Sequence, residues 1–274
     1  MQQRYWLIEL LAYWEGKLNT THLIDTYSIT RQSASKIINR YISDYPNNLE
    51  YDQSLKAYTP SASFLPAFIT RDANEYLAYL TQKNEAVIDH GLSSLAEHSE
   101  VLQLPKRRVE PKILRNLVLA AKTQSRVEVE YLSLSNPEHE TRVIAPHTFV
   151  YTGLRWHLRA YCEKSSGFRD FVLSRFVGDS DIIGESEIRQ DQDENWQKVV
   201  CVVLSPNPRL NQIQKNILKR EYSMDGDYLT LHCRACLLQY LLHQLQVNTK
   251  PNSKQPLSHQ LILVNAEELQ EYLF

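Results

Sequence analysis

The segment from Thr30 to Arg40, TRQSASKIINR, carries side chains whose chemistry suits a DNA duplex. Arg31, Lys36 and Arg40 can take phosphates or guanine edges, Gln32 and Asn39 can pair bidentately with adenine, and the hydroxyls of Thr30, Ser33 and Ser35 can reach phosphate. At about 100° per residue, Gln32, Ser35, Lys36, Asn39, Arg40 and Ser43 share one side of a helix, while Ala34, Ile37, Ile38 and Tyr41 share the other. A face that is merely solvated favours Glu and Lys pairs, whereas here no acidic residue intervenes before Asp44. Small helical units with polar outer faces are common, so the face alone also fits a purely structural role. The residues that follow favour DNA: two β-prone runs at Leu49 to Tyr51 and Leu55 to Tyr58 flank the turn residues Asp52, Gln53 and Ser54, which predicts a two-stranded wing carrying Lys56.

A second constellation lies in the middle of the chain. Arg142, His147, His157, Arg159, Arg169 and Arg175 offer charge-assisted donors suited to phosphate or carboxylate, and Tyr131 adds an aromatic hydroxyl. In the run LRWHLRAYCE, period-two alternation puts Trp156, Leu158 and Ala160 on one face and Arg155, His157, Arg159 and Tyr161 on the other. A face of that composition calls for an anion. Glu128, Glu130 and Asp170 stand on neighbouring strands, and ordinary cross-strand pairing to them is the competing reading.

Other chemistries find little support. Cys233 and Cys236 form a single C-x-x-C, but a tetrahedral zinc site needs two further ligands and no second pair exists; Cys162 and Cys201 complete an irregular set that fits no disulfide framework. There is no GxxxxGK[ST] loop, GxSxG elbow, HExxH helix or evident metal-binding carboxylate cluster, so neither an enzyme nor a bound metal or cofactor is expected. The net charge is −2, with 43% hydrophobic and 23% charged residues, as in an ordinary globular protein. Residues 1 to 60 hold six Lys/Arg and six Asp/Glu, so any DNA contact must come from local placement. No apolar run reaches the length of a membrane span, and Glu9 and Glu15 interrupt the N-terminal one, so no membrane partner is expected and the cytoplasm is the expected compartment.

The elements that would hold these groups follow from periodicity. Leu7, Leu10, Leu11 and Trp14 mark a first helix ended near Gly16; Thr20 or Thr21 can cap a second through about Tyr27; Thr30 can cap the third, through about Ser43. Residues 71 to 100 are predicted helical from Tyr76, Leu77, Leu80, Val87, Ile88, Leu92 and Leu95, and the basic run Lys106 to Arg108 marks a linker that either touches the DNA backbone or stays solvated. After a helix starting at Pro111, the runs RVEVEYL, TRVIAPHTFVYTG, LRWHLRAYCE and FRDFVLSRFVG read as successive strands separated by SNPEH, TG and KSSG turns. The remainder alternates: a strand at 199 to 205, a helix from about Arg209, the strand DYLTLHCRA, a helix through Leu245, and a final acidic helix from Asn265 to Phe274.

A helix followed by V-E-V-E-Y-L, R-V-I-A-P-H, L-R-W-H-L-R-A-Y and F-R-D-F-V-L-S-R-F resembles the WYL domain of bacterial regulators over roughly residues 111 to 180. Trp156-His157-Leu158 stands at the diagnostic triplet, with His157 where the family has tyrosine. The resemblance implies an α+β multidomain chain: a winged helix-turn-helix at 1–62, a helical bridge and linker at 63–110, a ligand-sensing Sm-like β-barrel at 111–190 and a small α/β dimerisation domain at 191–274. It implies a homodimeric repressor on an inverted-repeat operator, modulated by a nucleotide-like or nucleic-acid ligand, and similar to repressors of anti-phage defence genes. A non-catalytic accessory factor that binds nucleic acid is the other function class to be tested.

Overall fold

The computed structural model describes residues 1–90, 99–102, 104–134, 140–247 and 256–273, with the side chains of 83–90 outside that description. The chain forms two compact units, 1–103 and 104–274.

In the first unit, α1 (Gln2–Glu15) ends where Gly16 adopts φ 71°, α2 (Thr20–Tyr27) follows, and α3 (Arg31–Asp44) begins at a Thr30 cap whose hydroxyl accepts from the Ser33 amide at 3.2 Å. The cap of α2 is Asn19 and not either threonine: its side chain accepts from Thr21 N at 2.9 Å while the His22 ring accepts from Asn19 N at 3.1 Å, satisfying two amides reciprocally. The wing is β1 (Leu49–Asp52) paired with β2 (Ala57–Pro60), and Tyr58 exchanges two backbone bonds with Leu18. Leu7, Ile8, Leu10, Leu11, Leu18, Leu23, Ile38 and Tyr41 are fully buried, the pattern expected of an amphipathic three-helix core. Phe64, Phe68, Ile69, Tyr76, Tyr79 and Leu80, from the segment read as a bridge, pack on the same core. Of that segment's predicted helix, α4 (Ala73–His90) is present; Leu92, Leu95 and the side chains of Val87 and Ile88 lie outside the described residues.

The second unit opens with α5 (Pro111–Thr123), which lays Ile113, Leu117 and Ala120 on an antiparallel sheet of β3 (Ser125–Tyr131), β4 (Glu140–Tyr151), β5 (Trp156–Cys162), β6 (Gly167–Val172) and β7 (Phe176–Glu185). The spatial order is β6-β5-β4-β3-β7. FRDFVLSRFVG is therefore two strands on opposite edges, divided by a 3-10 turn at Leu173–Arg175, because β6 pairs with β5 and β7 with β3. Five flat strands would put those edges about 19 Å apart, while the link from Val172 to Phe176 reaches at most about 14 Å, so the sheet must curl. Among the described residues β6 and β7 do not pair, so the curled sheet is not closed into the expected barrel. The SNPEH turn lies outside the described residues.

After the short α6 (Glu194–Gln197), β8 (Val199–Pro206), α7 (Gln212–Glu221), β9 (Leu229–Arg234), α8 (Leu238–Gln244) and β10 (Leu261–Leu263) form a three-stranded antiparallel sheet in the order β10-β8-β9, with α8 against its inner face. In place of the final acidic helix, the chain after β10 forms turns and one 3-10 turn at Gln270–Tyr272. Asn265, expected to start that helix, instead accepts from Val203 N and donates to Cys201 O, both at 3.0 Å, which fastens the chain to the sheet. Among the described residues no helix is long and apolar enough to cross a membrane.

Candidate nucleic-acid interface and sensor core

The outer face of α3 presents Arg31, Gln32, Ser33, Lys36, Asn39 and Arg40 to solvent, with Ser35 half-buried, while Ala34, Ile37, Ile38 and Tyr41 face inward. Thr30 is exposed but engaged as the cap, and its hydroxyl lies 3.0 Å from that of Ser33. Arg40 makes a loose i,i+4 pair with Asp44 at 3.9 Å, which screening by water leaves weak. Lys56 is exposed at the wing tip, where φ 49° closes the turn and the Asp52 carboxylate accepts from the amides of Ser54 and Leu55. Gln53, Ser54 and Leu55 are exposed beside it. Sequence reasoning singled out Lys56 alone because charge is visible in a sequence and the height of a turn is not.

What holds α3 to α1 is a buried carboxylate. Glu9 is 0% exposed and accepts from Tyr41 Oη at 2.9 Å, from Ala67 N and from Phe68 N at 2.6 Å. Tyr41 Oη in turn accepts from Asn48 Nδ2 at 2.8 Å, which carries the network to the start of the wing. One acidic side chain thus joins α1, α3 and the segment beyond the wing.

In the second unit the predicted anion-binding residues fall into several environments. Tyr131 is buried among Phe171 and Phe176, and its hydroxyl accepts from Val172 N at 3.0 Å. Arg142 is paired with Glu140 at 2.5 Å and lies 5.9 Å over the Tyr131 ring, with its Nε buried and without a partner among the described residues. Arg169 is exposed, its strongest described contact being to Ser165 Oγ at 3.4 Å, and Arg175 is half-buried after the 3-10 turn.

His147, His157 and Arg159 come together, on the face of β4 and β5 covered by the chain's C-terminal part. Arg159 is 6% exposed and donates from Nε and Nη2 to both oxygens of Asp193, at 2.7 and 3.0 Å, and from Nη1 to Asp170 at 3.2 Å. His147 Nε2 lies 3.2 Å from Asp193, whose carboxylate also caps α6 at the Trp196 amide. Beyond Asp170, Tyr240 of α8 donates to Asp170 at 3.2 Å and contacts His157 Nδ1 at 3.1 Å, and Arg155 donates to His157 Nε2 at 3.1 Å. The anions met by this face are therefore the chain's own. Arg159 and Asp170 are direct cross-strand neighbours, the pairing weighed as the competing reading. Leu158, Ala160 and Cys162 fill the opposite face as alternation requires, but Trp156, beyond the end of the core, is 50% exposed and packs at 5.1 Å on Tyr151.

Electrostatics follow burial. Desolvation, reinforced by Arg155, Arg175 and Arg107, pushes His157 down to about 4, so its ring is neutral at pH 7. Burial works to raise Asp193, but hydrogen bonds from His147 and Arg159 prevail and hold it at about 2; Asp170, where burial prevails over Arg159, is raised. Burial also pushes the Cys236 thiol up to about 12 and raises Cys233, which keeps both protonated and unreactive. Asp193 and Tyr240 escaped sequence reasoning because they meet their partners across 34 and 83 residues, from segments read as another domain.

Comparison with known proteins fits this layout. A family model for the BrxR transcriptional regulator winged helix-turn-helix domain matches residues 1–82, the WYL domain model matches 112–178, and the model for the BrxR C-terminal dimerization domain matches 199–269. The DNA-binding transcriptional repressor CapW of Pseudomonas aeruginosa is 34% identical over 99% of this chain and 91% of its own length. The CapW of Escherichia coli strain KTE188 is 33% identical over 98% of this chain and 90% of its own, and that of Stenotrophomonas maltophilia 27% over 97% and 90%. With the recognition-type helix, the wing, the WYL sheet and the dimerisation module in this order, the chain belongs to the CapW family of DNA-binding transcriptional repressors.

Proposed function

We propose that the protein is a cytoplasmic homodimeric repressor that sets α3 into the major groove of each half of an inverted-repeat operator, lays the wing with Lys56 along the adjacent backbone, and responds to a nucleotide-like ligand at the WYL domain, with phage-defence genes as its targets. The observation that carries the DNA reading is the outer face of α3: Arg31, Gln32, Lys36 and Asn39 stand in solvent, and no carboxylate is paired to Arg31 or Lys36 among the described residues. The ligand reading is supported by Arg169 and Arg175, cations of the WYL sheet with no carboxylate partner among the described residues; Tyr131, Arg142, His147, His157 and Arg159 contribute to that response from the interior.

A mobility-shift titration on the DNA upstream of the protein's own gene, with scrambled competitor, tests the reading. Arg31→Ala/Lys36→Ala/Arg40→Ala is expected to weaken specific binding at least tenfold and to lower the slope of log K against log salt by about two to three. Equal binding to scrambled DNA by the wild type would reject it.

The dimer reading has a surface. On β8, Val200, Val202 and Leu204 point into the core, while Val199, at 58% exposure, and Cys201 are exposed on the outer face with Val264 beyond β10. A β-sheet face with exposed apolar residues in a module that matches a dimerization model suits a second copy. Val199→Glu with Val264→Glu is expected to shift the protein toward monomer in sedimentation and to weaken operator binding at least tenfold, since each half-site then binds alone. An unchanged dimer would place the seam elsewhere.

A further inference from the structure

The WYL sheet and the linker before it enclose a cleft of about 350 Å³. One wall is the linker, with Lys106, Arg107 and Val109; the other is the β4–β5 hairpin, with Tyr151, Arg155 and Trp156; Leu173 and Ser174 of the 3-10 turn line it too. That volume falls in the range that holds a small organic ligand. The wall chemistry narrows the class. Tyr151 and Trp156 are direct cross-strand neighbours, 56% and 50% exposed, and present an uncovered aromatic platform. Arg107 and Arg155 lie on the cleft, and both, with Arg175, come close enough to His157 to depress its protonation. None of these three arginines has a carboxylate partner among the described residues, in contrast to Arg108, Arg126, Arg142 and Arg159. Arg107 and Arg155 thus share one cleft without a carboxylate partner among the described residues, and an anion between them offsets their repulsion.

We propose that this cleft is a nucleotide site, with the phosphate held by Arg107 and Arg155 and the base stacked on Tyr151 and Trp156. The inference rests on the reading that a nucleotide-like ligand acts on the WYL domain, and it puts the contacts on the linker and the hairpin. It also gives the basic run at 106–108 a task other than solvation. The site is wired to the C-terminal module. Because Arg155 donates to Nε2 of a neutral His157, the ring proton sits on Nδ1 and donates to Tyr240 Oη, leaving the Tyr240 proton for Asp170. A phosphate that draws Arg155 outward takes away the first donor of this chain, and the effect reaches α8 through one imidazole.

Calorimetric titration of the full chain tests the site, with adenosine 5′-monophosphate, adenosine, inorganic phosphate, and a tetranucleotide with or without its 5′-phosphate as probes. The variants are Arg107→Glu and Trp156→Ala, both at exposed positions, with Arg126→Ala, which pairs with Glu163 outside the cleft, as a control. The monophosphate is expected to bind at least tenfold more tightly than adenosine or phosphate alone, and each cleft variant to weaken it at least fivefold. If the phosphorylated tetranucleotide binds tenfold more tightly than the mononucleotide, the natural source is a strand end; if not, it is the free nucleotide. Both results uphold the site. No binding of any probe at millimolar concentration, or binding lost in Arg126→Ala but not in the cleft variants, overturns it. So does Arg107→Glu weakening operator binding while leaving nucleotide affinity unchanged, which makes the basic run a DNA contact. Nucleotide binding that depends on the cleft but leaves operator affinity unchanged overturns the modulation reading and keeps the site.

Discussion

Replacing Glu9 by leucine is expected to destabilise the first unit by about 3–5 kcal/mol, the range found when a buried polar network loses its central partner. The wild-type carboxylate is fully buried and is the acceptor for Tyr41 Oη and for the amides of Ala67 and Phe68. Leucine fills a similar volume and removes a charge from the interior, so a calculation by hydrophobicity alone predicts stabilisation. The hydrogen-bond argument gives the opposite sign, because the buried Tyr41 hydroxyl and the part-buried amides of Ala67 and Phe68 would all lose their acceptor. Glu9→Gln, which keeps an oxygen acceptor, is expected to cost less than half as much. Hydrogen exchange at the α3 amides, with Ile38 fully buried at its centre, reads this unit separately from the rest of the chain. Protection factors that fall by less than tenfold in Glu9→Leu would mean that the network does not fasten α1 to α3. The functional consequence is graded: operator affinity should hold at low temperature and fail in Glu9→Leu as the unit melts, with the reading residues untouched.

Glu9 also shows where a sequence is legible and where it stops. The helices of the first unit were readable because their apolar residues recur at helical spacing, and Thr30 was readable as a cap because the side chain acts on a residue three positions away. Asn19 capping α2 involves equally local bonds but competes with two adjacent threonines of similar capping propensity, and only the backbone direction at 19 decides. Glu9 itself reads as an interruption of an apolar run, since its donors are 58 and 59 residues away. The WYL strands were legible as alternation, but FRDFVLSRFVG has no Gly or Pro between Val172 and Phe176, where it breaks, and the division comes from two pairings on opposite edges. The missing terminal helix has a similar cause. Asn265 is a good helix starter in isolation, yet its amide side chain is committed to β8, and β10 before it is too short to announce itself by period.

The candidate site divides in the same way. The α3 residues were found because one helix displays them together, and their outward exposure follows from local period alone. The cationic face of β5 was found as a face, but what it meets was not, because alternation specifies that Arg159 points away from Leu158 and says nothing of what lies opposite. The cleft falls between these cases: Tyr151, Arg155 and Trp156 sit on one hairpin, whereas Arg107 and Ser174 arrive from either side in sequence.

The second large effect is expected at Asp193. Asp193→Ala leaves Arg159, 6% exposed, with Asp170 as its one remaining counter-charge among the described residues, and removes the cap of α6 at the same time. A buried cation deprived of a partner costs about 3–5 kcal/mol, and the lost cap adds about 1 kcal/mol. Adding Arg159→Met to that background is expected to recover at least 1 kcal/mol, because the uncompensated charge is gone and the stem still packs; simple additivity of the two losses would show that the pair is not coupled. Acid gives an independent measurement with a definite sign. Asp193 falls from 3.8 in an open chain to about 2 in the folded protein, so its contribution is complete above about pH 4 and is lost as pH drops through about 2. Asp170 is raised, so its contribution runs the other way, present at low pH and lost as pH rises through its folded value. The difference between wild type and Asp193→Asn isolates the first: protection of the β5 amides should converge between the two proteins as pH is lowered from about 4 toward 2. Curves that stay parallel over that window would mean that Asp193 carries no ionic role. Arg159 belongs to the WYL sheet while Asp193 and Tyr240 belong to the chain beyond it, so this network joins the two by hydrogen bonds and ion pairs. Loosening it is expected to uncouple any nucleotide response from operator release before it abolishes either binding event.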